Sequence, residues 1–145
     1  MVLRALQGLA ALAAVVGSVI AVANYLDDEP SGVVRLGLIN SDHPDYVEII
    51  ASGTHSIDVG GYRLCEHDSG EEKDSCCRIP PKAMVAPGSP LPVFFFSPKD
   101  PEKRAMAEEY RTQGKLVCDQ FGLSAGELVV LYANDGTRLD EKKAN

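Results

Sequence analysis

The chain has no tryptophan, only three histidines and three methionines, and an aromatic content of 6% over 145 residues. Any core must therefore rest on aliphatic and β-branched residues and a few phenylalanines. Positive charge is scarce too: 14 Lys and Arg stand against 21 Asp and Glu, for a formal net charge of −7. Such a field repels phosphate backbones, so nucleic acid is a poor default partner unless the Lys and Arg residues gather on one face. No HExxH or HxE…PCxxC pattern occurs, which argues against zinc proteases and nucleobase deaminases. The DxDxDG loop of calcium sites is missing as well. There is no heptad run, internal repeat or low-complexity tract.

A few residues could serve acid–base chemistry, namely His43, His55 and His67 with Asp42, Asp45 and Asp68. Catalytic pairs must meet in space, and adjacency in sequence does not establish that. Histidines in Asp-flanked turns read as solvated surface groups. The expectation is a non-enzyme without cofactor or metal.

Met1-Val2-Leu3-Arg4 precedes an uncharged apolar run, Ala10 to Ala23. A basic start, an apolar middle and small residues at Ala21 and Ala23 fit a secretory signal over residues 1–23, cut after Ala23. Ala5 to Leu26 is also long enough to span a bilayer as an uncleaved anchor, so a membrane tether through residues 1–26 is the competing reading. A buried helix of a water-exposed domain fits less well, because the run lacks a polar face. Residues 24–32 read as a linker, and all 21 acidic residues follow the leader.

The four cysteines, Cys65, Cys76, Cys77 and Cys118, also follow it. An even number after an export signal predicts two disulfides in an oxidising compartment. Joining the neighbours Cys76 and Cys77 would need a strained ring, so one is expected to meet Cys65 and the other Cys118. A zinc site of Cys65, His67 and the Cys76-Cys77 pair is the weaker alternative, since no CxxC knuckle is present.

Short alternating runs with turn signals between them predict seven or eight strands. Val33 to Ile39 is the first. In Tyr46 to Ala51, Val47 and Ile49 take one face and Tyr46, Glu48 and Ile50 the other. Gly60-Gly61 marks a bulge or close backbone approach, and Pro87-Gly88 a turn. In Leu91 to Phe96, Phe94 and Phe96 share one face and Phe95 the opposite one. Pro101 to Gly114 predicts a short helix laying Ala105, Met106, Glu109 and Tyr110 on the sandwich. Leu128 to Tyr132 is another central strand, followed by the Asp135-Gly136 turn. Residues 141–145 read as a frayed polar tail.

The order DYVEI, IDVGGYRL, Pro-Gly turn, apolar strand and LSAGELVVLYANDGTRLD resembles the lamin-tail domain family, across about residues 33–140. That resemblance implies an all-β, immunoglobulin-like sandwich; the residues themselves add an N-terminal apolar helix and one short helical insertion, which, like the paired cysteines, departs from the family pattern. It matches Glu48 to the acidic position of the first motif and Gly61 and Tyr62 to the glycine and aromatic of the second. Asp135, Gly136 and Asp140 match the final turn and its acidic follower. These are fold positions, not a catalytic signature. No coiled-coil rod, nuclear-localisation cluster or prenylation box accompanies them. The implied function is an exported or membrane-tethered interaction and scaffolding module with a protein or other macromolecular partner. An accessory hydrolase domain and a lamin-like nuclear-envelope or chromatin contact are the alternatives.

Overall fold

The computed structural model describes residues 33–67 and 75–145. The expected leader, its apolar helix and the linker lie outside the described residues, as does most of the acidic stretch after His67. Ten strands and one helix are described: β1 (Val33–Asn40), β2 (Asp45–Ser52), β3 (Ile57–Asp58), β4 (Arg63–His67), β5 (Ser75–Arg78), β6 (Met84–Val85), β7 (Leu91–Phe95), α1 (Pro101–Thr112), β8 (Leu116–Cys118), β9 (Leu128–Tyr132) and β10 (Arg138–Lys143).

One sheet has the order β1-β2-β7-β8 and a second β10-β9-β4-β5, with a small β3-β6 pair beside them. The alternation read in β2 is real: Val47 and Ile49 are fully buried while Tyr46, Glu48 and Ile50 are half-buried on the outer side. Inner residues of the two sheets, including Leu36, Ile39, Val47, Phe95, Leu64 and Leu131, form one cluster. Burying apolar side chains contributes about 1.5 to 3 kcal/mol each. That all-β sandwich is the fold.

Helix α1 has a topological duty that the sequence does not announce. β8 pairs parallel to β7, and adjacent parallel strands require a crossover to carry the chain back. The Asp100 carboxylate caps the helix by accepting from the Glu102 N–H at 3.0 Å, with Pro101 preset at its first turn. Its packed face differs from the expected one: Ala107 is buried and Lys103, Met106 and Tyr110 are half-buried, whereas Ala105 and Glu109 are exposed. Tyr110 meets Phe94 and Phe96 edge-on, at 4.9 and 5.1 Å between centroids. The outer aromatics of the Phe94-Phe95-Phe96 run are thus roofed by the crossover.

Two expectations are corrected. Residues 141–145 are not frayed: β10 runs through Lys143, and Ala144 is buried and exchanges backbone hydrogen bonds with Gly126 and Glu127. The polar stretch Glu66 to Ser75, whose composition predicts a solvated loop, is strand at its described ends, where Glu66 on β4 pairs with Ser75 on β5. Gly60-Gly61 forms a tight turn, with the Tyr62 N–H donating to the Val59 carbonyl at 3.1 Å and Gly61 at φ +84°. A side chain at Gly61 would also meet the Asn134 amide, 2.7 Å from where its Cβ would stand.

Candidate functional site

Both open sides of the sandwich are closed by residues singled out in the sequence. On one side β1 breaks register between Leu36 and Ile39, and two of its backbone donors there are taken up by side chains. The Asp140 carboxylate, from β10 in the other sheet, accepts the Leu36 N–H at 2.9 Å, and Glu48 accepts the Leu38 N–H at 3.3 Å. Lys142 Nζ donates to the Gly37 carbonyl at 2.8 Å, and the Ser41 hydroxyl donates to the Asn145 carbonyl. Glu48 and Asp140 therefore satisfy a bulge that joins two sheet edges, instead of facing a ligand.

The opposite side is joined covalently. Cys77 on β5 and Cys118 on β8 are both buried and form a disulfide across the core, with their Cα atoms 5.8 Å apart. Cys65 and Cys76, direct cross-strand partners, form the other at 4.0 Å. No cysteine is left free, so the thiolates of the alternative zinc site are absent. Two disulfides suit an oxidising, extracellular-type environment. Among the described residues no helix is long and apolar enough to cross a membrane.

The final turn is built as its residues require. Asp135 accepts the Thr137 N–H at 2.9 Å, which holds its carboxyl below the usual range through the Thr137 hydrogen bonds. Gly136 takes φ +89°, a conformation that costs glycine little.

Asp45 is the one buried charged residue among those described. It accepts the Leu123 N–H at 3.1 Å. Desolvation raises its carboxyl above the ordinary value of 3.8, against the lowering influence of the Leu123 hydrogen bond and of nearby Lys103 and His43; Asp42 adds to the rise. An acid raised by folding loses stability as pH climbs from its unfolded value through its folded one. Asp45→Asn, which keeps an acceptor for Leu123, should therefore gain stability relative to the parent as pH rises from about 3.8 towards neutral and match it in more acid solution. Asp45→Ala should lose about 1 to 3 kcal/mol by stranding a buried N–H. Urea unfolding at several pH values reads both.

The histidines do not share an element. His43 lies between β1 and β2, His55 between β2 and β3, and His67 ends β4. One pattern escapes the sequence reading: Gly122-Leu123-Ser124-Ala125-Gly126 has the letters GxSxG, and Ser124, Glu127 and His67 line one open groove of about 500 Å³. A nucleophile elbow needs a strand-turn-helix, whereas this stretch leads into strand β9. Glu127 is occupied by the Ser124 N–H at 2.9 Å. No set of three or more His, Cys, Asp or Glu side chains among the described residues is placed to hold a metal ion.

The chain matches no protein-family model, and no curated protein resembles it closely enough to count as a relative.

Proposed function

We propose that this chain is a non-enzymatic interaction module of lamin-tail type, with an immunoglobulin-like sandwich exported to, or tethered at, an oxidising compartment. The observation that carries this reading is the employment of its motif residues. Glu48 and Asp140 satisfy the β1 bulge, Asp135 and Gly136 build a turn, and Gly61 makes room for Asn134. Residues held to such duties support a scaffold that presents surfaces. The β1 and β10 edges meet one another, so strand addition there is disfavoured, and the outer sheet faces become the natural contact surfaces.

In-place crosslinking followed by native pull-down of the exported protein tests this. The expected result is a specific macromolecular partner, still captured by a variant carrying Ala at His43, His55, His67 and Ser124. Turnover of a substrate that this variant loses, with no partner recovered, contradicts the proposal.

A further inference from the structure

The register of the second sheet aligns residues that are far apart in sequence. Arg63 on β4 pairs with Arg78 on β5 and with Tyr132 on β9, and Tyr132 pairs with Arg138 on β10. The neighbouring row, Cys77, Leu64, Leu131 and Asp140, points into the core or the β1 seam. Faces alternate along β4, β5 and β9, and β10 shifts register between Arg138 and Asp140, a bulge that lets exposed Arg138 stand beside Tyr132 while Asp140 turns to the seam; Arg78-Arg63-Tyr132-Arg138 thus forms a single row across all four strands on the outer face. Three arginines in one row is a costly arrangement in a sheet, since like charges directly opposite one another destabilise the pairing.

Among the described residues, only one end of the row is neutralised by an ion pair. Arg138 is ion-paired with Glu141. The Arg63 guanidinium lies over the Tyr132 ring at 5.4 Å, and among the described residues neither it nor Arg78 nor Lys82 forms an ion pair. Arg78 and Lys82 also line an open groove of about 360 Å³ with Ile79, Asn134 and Asp58. Asp58 is engaged with the Gly60 N–H at 2.8 Å. Arg63 and Arg78 stand at the end of the β4–β5 pair away from its connecting loop.

We propose that this row and groove form a docking surface for an acidic extended peptide segment of a partner protein, whose carboxylates pair with Arg63, Arg78 and Lys82. The inference rests on the interaction-module reading and names the partner's chemistry. Glu141 on Arg138 shows that a carboxylate fits the row. The guanidinium fork takes carboxylates in bidentate fashion. The net negative charge of the whole chain is no obstacle at contact range, because exposed charges beyond about 10 Å are largely screened at ordinary ionic strength.

The test is fluorescence anisotropy of a labelled oligoglutamate peptide at ordinary ionic strength, about 0.1 M, with the oxidised protein. R63Q/R78Q should weaken binding about tenfold without lowering the melting temperature, because the substitutions relieve a like-charge pair. K99Q/R104Q, an equal change of charge beside the other sheet, should leave it unaltered. Absence of saturable binding, equal loss in both double variants, or preference for a sulfated polysaccharide over the peptide overturns the proposal. If R63Q/R78Q still captures the crosslinked partner at parental yield, this surface fails and the module reading stands; recovery of no partner by either protein removes both.

Discussion

Replacing Cys77 and Cys118 together by alanine should lower the unfolding free energy by about 4 kcal/mol, against about 3 kcal/mol for the Cys65 and Cys76 pair. The difference follows from loop length. Cys77–Cys118 spans 41 residues of sequence and Cys65–Cys76 spans 11, and the longer loop removes more freedom from the unfolded chain. Location adds to it. The longer bridge crosses the core and joins β5 to β8, two edges with no ladder between them, whereas the shorter one joins strands already paired. Urea unfolding of the two double variants measures both values. A larger loss from the Cys65 and Cys76 pair contradicts the assignment of the inter-sheet staple.

Phe95→Ala should cost about 3 to 5 kcal/mol, and Phe94→Ala less than half of that. Phe95 is 1% exposed and packs on Phe121, with 5.1 Å between centroids. Its ring fills the space between the sheets. Phe94 faces outward between Tyr46 and Tyr110, where water and neighbouring side chains can close over a truncated residue. The contrast between adjacent residues of one type isolates position from chemistry. Equal losses in chemical denaturation would mean that the strand's two faces are not distinguished as described.

The elements legible in sequence are those whose pattern is local. Alternation in β2 and the aliphatic run of β9 mark strands without outside help, and the Pro87-Gly88 turn forms as its residues dictate, with Gly88 at φ +76°. Cysteine spacing was sufficient to separate Cys76 from Cys77. Elements whose reason is tertiary were harder to read. The charged residues of β10 resemble a loose tail because an edge strand tolerates and benefits from charge, and the single buried Ala144 gives no periodic signal. The face of α1 shifted to Lys103, Met106, Ala107 and Tyr110 because Phe94 and Phe96, not the helix's own composition, decide what it covers. The arginine row is invisible from sequence, since it needs the register of three strand pairings at once. Likewise the GxSxG letters carry a meaning only where a strand leads through a sharp turn into a helix.

The most direct measurement is mass spectrometry of the protein made with its leader in an exporting host, digested without reduction and fragmented between Cys76 and Cys77. The account predicts a mature chain beginning at Asn24, or a membrane-retained one, with Cys65 linked to Cys76, Cys77 linked to Cys118 and no alkylatable thiol. Four alkylated cysteines on a chain that keeps residues 1–23 and faces a reducing compartment would contradict it.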